Sequence, residues 1–503
     1  MERIKMSVGN KNLILKGGLL ILLCVIVVLV NVLVFASAGK KDISVSSTKN
    51  IKVIYPKAPP KITLYDLSII NDEKKWTVNN VHDPAIIKAD NGWYYIYSTD
   101  VKVGGVPKPG IQIRKSKDLI NWQFVGYVFN GKDYVYGGIP KGAYEWTQAT
   151  NLWAPDIKKM NGKYYLYYAA SQFGKNQSYI GLATATNPEG PWKDEGEVIK
   201  TKQGDVVNAI DPCLTFDANG QPWLVYGSFF GGIYIIKIDK KTGKPAEKGF
   251  GKLIARRDMS VQDAIEGPYI IYNQKFKKYY LFVSYDSLFN DYNVRVGRSD
   301  KITGPYVDYN GKLMTDIESP PSEIGTKILG GYHFENDDGW IAPGHNSILI
   351  DGNDYYIIHH ARGALDKNWP YLHVRKILWT DDGWPVVSPE RYAGEKEQVL
   401  SKDLVVGIWE RIVLGPYDYL QSEPVKITLL KSGKINSENS SDFWTFVSPN
   451  TIKLNWCKDK TKKIYEVETV KVIPAWDWES WKPTLVFTGL SNKGIAVWGK
   501  KVK

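Results

Sequence analysis

The chain has 503 residues, 43% hydrophobic and 23% charged, with a formal net charge of +12. That length exceeds one ordinary domain, and the composition excludes a disordered chain or a fibre. Its 65 basic residues are interspersed with 53 acids rather than clustered, which argues against a nucleic-acid partner. The 32 Tyr, 18 Trp and 15 Phe suit β-sheets and surfaces that stack on flat ligands such as sugar rings.

Residues 1–38 differ in kind from the rest of the chain. Arg3, Lys5, Lys11 and Lys16 precede an apolar run from Leu19 to Phe35 broken by Asn31, and Ala36-Ser37-Ala38 then supplies small residues for cleavage. The pattern predicts a signal peptide. A retained anchor is the competing reading, since the run is nearly long enough to span a bilayer. Loss of four basic residues and one acid would leave a mature charge of +9 on a secreted, extracellular protein. Cys213 and Cys457 then remain, spaced for neither a disulfide framework nor a zinc site and expected as two buried thiols.

Residues 39–72 form a polar, Pro-bearing linker, with Pro56-Lys57-Ala58-Pro59-Pro60 at its centre. Beyond it the sequence repeats. Each unit has an ionisable residue beside a turn former, a short apolar strand, a turn, and an aromatic strand. The first unit is His82-Asp83-Pro84-Ala85-Ile86-Ile87, Asn91-Gly92 and Trp93-Tyr94-Tyr95-Ile96-Tyr97. Later units open on Trp153-Ala154-Pro155-Asp156, Ile210-Asp211-Pro212, Ile265-Glu266-Gly267-Pro268 and Gly344-His345-Asn346-Ser347. An all-β period of this kind predicts an all-β fold with a five-bladed β-propeller over residues 73–396. If each lead residue starts the innermost strand of its blade, several carboxylates and a histidine converge at one end of the central channel.

From about Val399 the pattern changes to short alternating strands, including 425–429, 451–456, 483–488 and 494–498. They predict a small antiparallel β-barrel domain over 397–503. Trp476-Asp477-Trp478-Glu479 is its one mixed acidic and aromatic cluster, expected to serve packing.

An Asp beside Pro can simply cap a turn. Five such positions in one register argue for more, because clustering like charges is costly without a use. Two carboxylates flanking a cleft are the minimum for glycoside hydrolysis, one as acid and one as base or nucleophile. Spacing alone does not divide those roles among Asp83, Asp156, Asp211 and Glu266.

The segments around Asp83, Asp156, Asp211, Glu266 and His345, taken in order, resemble the blade motifs of glycoside hydrolase family 43. Within the family the likeness is to secreted two-domain endo-α-1,5-L-arabinanases, carried also by His373-Val374-Arg375-Lys376-Ile377 and by the tail from Gly407. It implies an inverting enzyme with Asp83 as general base, Glu266 as general acid and Asp211 orienting Glu266 and raising its pKa. Inversion needs the two outer carboxyls roughly 6.5–9.5 Å apart to admit a water. The resemblance also implies calcium in the channel, held through His345 with waters. Substrate contacts are implied at Asp83, Trp153, Asn208, Ala209, Ile210, Asp211, Ser228, Phe229 and Phe230, with Asp156 a structural acid nearby. Cys213 and Gly231-Gly232 depart from the family pattern and bear on subsite shape. The implied partner is the polysaccharide arabinan, met by a monomer with no membrane contact once the leader is gone. An exo-acting arabinofuranosidase or β-xylosidase, and a non-catalytic surface carbohydrate-binding propeller, are the alternatives.

Overall fold

The computed structural model describes residues 52–417, 420–447, 449–458 and 463–503. The leader, its apolar run and its cleavage site lie outside the described residues. Twenty strands form five antiparallel sheets, each a four-stranded meander. The first sheet comprises β1 (Ala85–Lys88), β2 (Tyr94–Ser98), β3 (Gln112–Ser116) and β4 (Gln123–Tyr127). The second comprises β5 (Trp153–Met160), β6 (Lys163–Ala170), β7 (Ser178–Ala185) and β8 (Lys193–Thr201). The third comprises β9 (Cys213–Phe216), β10 (Pro222–Tyr226), β11 (Ile233–Lys237) and β12 (Lys252–Ala255). The fourth comprises β13 (Ile265–Asn273), β14 (Lys278–Tyr285), β15 (Asn293–Ser299) and β16 (Thr326–Leu329). The fifth comprises β17 (Trp340–Asp351), β18 (Asp354–Gly363), β19 (Pro370–Trp379) and β20 (Pro385–Val387).

The first strand of each sheet lies against the first strands of the sheets before and after it, and β17 returns to β1. The ring is therefore closed, and the five sheets are the blades of a propeller. Each predicted unit supplies the first two strands of one blade. The second strands read as largely apolar and aromatic runs because blades pack on both of their faces; all five residues of β2 are buried. Their tyrosines are not surplus bulk. Tyr97, Tyr167 and Tyr280 each reach a hydroxyl across to a backbone carbonyl of the next blade, at Pro188 (2.6 Å), Gly243 (2.7 Å) and Gly383 (2.5 Å). A buried phenol needs such an acceptor, and here the acceptor belongs to a neighbour.

Polar bonds also join consecutive blades around the channel. Asp100 accepts from the Leu152 amide (2.8 Å), Asp156 from Leu214 (2.7 Å) and Asp211 from Gly267 (3.0 Å). Ser284 accepts from the His345 amide (2.8 Å), and the Ser347 hydroxyl donates to the Pro84 carbonyl (2.6 Å). The last of these closes blade five onto blade one, where Lys88 and Tyr94 also bond Asp351.

The C-terminal domain is a seven-stranded antiparallel sheet. Its strands are β21 (Gly407–Leu414), β22 (Pro424–Leu429), β23 (Phe443–Val447), β24 (Thr451–Lys458), β25 (Lys463–Asp477), β26 (Lys482–Ser491) and β27 (Ala496–Lys501). The order is β22-β21-β27-β26-β25-β24-β23, and bridges at Lys434 and Ile435 draw the two edge strands together, curling the sheet into a half-barrel. One hydrophobic cluster runs from blades four and five into this sheet, joining Tyr332, Trp340 and Val386 to Ile412, Ile473 and Trp498. Cys213 is buried as expected, whereas Cys457 is partly exposed because it lies where β24 bulges against β25. Among the described residues no helix is long and apolar enough to cross a membrane.

The acidic and aromatic cluster does more than pack. Lys500 on β27 places its ammonium 2.7 Å from Glu479, 3.2 Å from Asp477 and 3.3 Å from Glu390, which follows the last propeller strand. Burial works against the charge on Lys500, and the three carboxylates more than restore it. Removing one partner of such a buried group leaves uncompensated charge. Lys500→Met is expected to lower stability by about 3–5 kcal/mol in urea unfolding; a change within about 1 kcal/mol would mean the cluster is not held by this cation.

Candidate functional site

The site forms where the innermost strands begin. Asp83 and Asp211 lie just before these strands and His345 lies within β17, all three with left-handed backbones, at φ 51°, 56° and 47°. Non-glycine residues rarely adopt that conformation, and it turns each side chain into the channel rather than along the strand. In blade four Gly267 takes the same conformation (φ 58°), and a Cβ there would lie 3.1 Å from the His345 ring. A side chain there would crowd His345 and strain the backbone, so glycine suits the point beside Glu266.

Asp83 is the most heavily coordinated carboxylate. Its Oδ1 lies 2.7 Å from His82 Nδ1 and 3.1 Å from His345 Nδ1, and its Oδ2 accepts from the Thr99 hydroxyl at 2.5 Å. Arg362 Nη2 approaches His82 Nε2 at 3.1 Å. A guanidinium only donates, so His82 Nε2 must accept and Nδ1 carries the proton toward Asp83. His360 stacks on His82 at 3.8 Å and accepts from the Asp83 amide through Nδ1 at 3.3 Å. Burial would raise the Asp83 carboxyl, but His345 and His82 overcome it and hold the group well below the usual carboxylate range. Burial pushes His345 and His360 below the ordinary imidazole value.

Glu266 is half-buried and receives a donor on each oxygen, Tyr292 at 2.7 Å on Oε1 and Ser228 at 2.9 Å on Oε2. Asp211 lies near enough to both of the other acids to feel their charge. Burial first, then the charges of Glu266 and Asp83, push its carboxyl well above the usual range. Three acids thus share one buried space in unlike environments, one held ionised and one held toward its protonated form.

Asp156, expected near these groups as a structural acid, turns away to Lys158 (3.1 Å) and the Leu214 amide. Trp153 is partly exposed at the start of β5. Asn208 is buried and accepts from Ser178 at 2.6 Å, while Ala209 and Ile210 are buried in the wall. Phe229 is partly exposed and Phe230 exposed. A Cβ on Gly231 would lie 2.0 Å from the Val206 carbonyl and one on Gly232 2.3 Å from that of Ala255, so these two glycines have no room for side chains.

Several contributors were not singled out from the sequence. Thr99, Tyr292, His360 and Arg362 come from the far ends of second strands or the start of a third. The pair His359-His360, breaking an apolar run in β18, is the one visible signal among them. A second feature is the set of loops joining second to third strands, all at the site end. Each presents one apolar side chain to solvent, Val106, Phe173, Phe230, Phe289 and Leu365, between 36% and 84% exposed.

His82, Asp83 and His360 bring ligand atoms close enough together to hold a metal ion. That donor set is rich in nitrogen, whereas calcium prefers oxygen. His345 offers a ring nitrogen beyond the one facing Asp83, and a calcium ion there would need water for the rest of its shell. A second acidic group, Glu390, Asp477 and Glu479, already surrounds the Lys500 ammonium.

Residues 77–385 match the family model of glycosyl hydrolases family 43, and 389–499 match a C-terminal lipocalin-like domain. An extracellular endo-α-(1→5)-L-arabinanase of Thermotoga petrophila is 33% identical, over 88% of this chain and 98% of its own. The crystal structure of endo-1,5-α-L-arabinanase from Thermotoga petrophila RKU-1 superposes with a TM-score of 0.75 at 32% identity, covering 85% of this chain and 99% of that one. An extracellular exo-α-(1→5)-L-arabinofuranosidase of Cellvibrio japonicus is 35% identical over 61% of this chain and 86% of its own.

Proposed function

The chain belongs to glycosyl hydrolase family 43, and on that premise we propose that it cleaves internal α-1,5-L-arabinofuranosidic bonds of arabinan with inversion. The observation that carries the reading is the meeting of Asp83, Asp211 and Glu266 on the propeller axis in unlike electrostatic settings. Endo-acting relatives, among them two that cover 88% and 84% of the chain, favour internal cleavage over the exo alternative.

In this mechanism Asp83, ionised and steered by His82 and Thr99, takes a proton from a water facing the anomeric carbon. Glu266, positioned by Tyr292 and Ser228, delivers a proton to the departing sugar oxygen. Asp211 holds the amide that follows Glu266 and so fixes the backbone from which that side chain reaches the substrate. The water attacks from the face opposite the leaving group, so an α bond yields a β product. Exposed Phe230 and half-exposed Phe229 and Trp153 offer stacking faces, with Asn208, Ala209 and Ile210 forming the wall beneath.

A calcium ion held through His345 and water would add fixed positive charge to the channel near the three acids. We assign residues 73–396 to catalysis and 397–503 to the appended domain, with 1–38 removed on export and 39–72 as the linker. The names of the extracellular relatives support secretion. The product is read as a secreted monomer whose mature charge of +9 suits the acidic pectin that carries arabinan.

Glu266→Gln and Asp83→Asn should each reduce turnover of debranched arabinan by about 10²–10⁴-fold with unchanged circular dichroism; wild-type rates in either would remove that residue from its role. Viscosity of the wild-type reaction should fall faster than reducing ends appear, whereas monomer release at nearly constant viscosity would indicate exo action. Chelation carried to metal-free protein, checked by elemental analysis, should depress activity and calcium should restore it. Full activity without metal would contradict the calcium assignment.

A further inference from the structure

We propose that the seam between the fifth blade and the C-terminal domain is a second saccharide-binding site, which takes a neutral pentose unit of the same polymer and hydrolyses nothing. This rests on the arabinan reading for the identity of the sugar. A cavity of about 210 Å³ opens there, lined by Tyr65, Trp340, Arg391, Trp478, Trp481 and the acids Asp337 and Asp338. That is smaller than the roughly 300–1,000 Å³ of pockets for drug-sized ligands, a size suited to a sugar unit rather than a length of chain.

The lining has the chemistry of a sugar site. Arg391 is clamped between indoles, its guanidinium carbon 4.2 Å from the Trp478 ring centre and 5.1 Å from that of Trp340. The Trp478 indole donates to the Arg391 carbonyl at 2.8 Å, and no side-chain hydrogen bond of the Arg391 guanidinium is found among the described residues. Glu479 and Glu390 neighbour its charge, and among the described residues its donors, held in place by the indoles, make no side-chain hydrogen bond that a ligand would have to displace. Asp338 is exposed with no side-chain partner among the described residues, and Asp337 uses one oxygen on the Gly339 amide at 2.7 Å. Trp481 closes the turn between β25 and β26 in a left-handed backbone (φ 54°) and packs edge-on against Trp478 at 5.8 Å. A bulky residue in that conformation is strained, and such strain collects at ligand sites.

Charge selects the ligand class. An anion would meet Asp337, Asp338 and Glu479, and a cation would meet Arg391 and Lys61. A neutral polyol satisfies both, since each hydroxyl donates to a carboxylate and accepts from a guanidinium while the ring's apolar face rests on an indole. Position suits a polymer. Trp340 begins β17, the strand that carries His345 five residues on. The seam therefore lies toward the catalytic end, at most about 17 Å along one strand.

The test uses full-length protein with Trp481→Ala and, because that change could disturb folding, the exposed Asp338→Asn. Electrophoresis of inactive Glu266→Gln protein through gels containing debranched arabinan should show retardation, weakened about three- to tenfold by either added substitution. In active protein the same substitutions should raise KM for the polymer by a similar factor at constant kcat. The kcat/KM for arabinotetraose should change less than that for the polymer, because a tetramer offers fewer sugars beyond the scissile bond to reach the seam. Equal retardation with and without the seam substitutions, or retardation by polygalacturonate instead of arabinan, would overturn the proposal. Absence of turnover on either substrate would remove the activity reading alone, since retardation of the inactive protein decides the seam separately.

Discussion

Closure of a ring of five strands is the constraint on which the rest depends. No single blade could hold Asp83, Asp211 and Glu266 together, because each residue comes from a different sheet. They meet because β17 returns to β1, and polar bonds from Asp100, Asp156, Asp211, Ser284 and Ser347 fasten each blade to the next around the channel. These bonds lie at the strand starts where the site forms. The groups that fix the position of the innermost strands are thus the neighbours of those that face the channel, and Asp211 belongs to both sets.

Bringing acids together inside a protein costs free energy unless each is separately managed. Here the management differs by residue. Asp83 is surrounded by imidazoles and a hydroxyl, with Arg362 setting the tautomer of the nearest ring. Glu266 receives one hydroxyl on each oxygen, which orients it without a formal cation. Asp211 has one backbone amide and two charged neighbours, and it is pushed toward its protonated form. Different surroundings are what let chemically similar carboxyls take up different tasks at one pH. The strained backbones of Asp83, Asp211 and His345 belong to the same arrangement, since an ordinary extended strand would not aim them at the axis.

The fold was legible because its signals are local and repeated. An acid or histidine beside a turn former, followed by an apolar strand and an aromatic one, recurs in every blade, and the aromatic runs reflect burial on both faces. The lead acids were legible for the same reason, but their individual duties were not. Asp156 and Asp211 both stand beside a proline, yet Asp156 lies inside β5 and is drawn off by Lys158, while Asp211 precedes β9 and faces Glu266. Thr99, Tyr292, His360 and Arg362 carry no local signature, since their importance arises only when strands distant in sequence end at the same point. Trp476-Asp477-Trp478-Glu479 read as packing because Lys500 and Glu390, which complete its ion cluster, are far away in the chain.

The central claim is that Asp83 and Glu266 act on opposite sides of one bond through a water, with no covalent sugar intermediate. Proton NMR of the first reducing ends released from debranched arabinan, recorded before mutarotation, tests it directly. The β anomer is expected first, with the α anomer following by equilibration. If the α anomer came first, one carboxylate would be attacking the sugar itself, and the assignment of Asp83 as a base acting on water would be wrong.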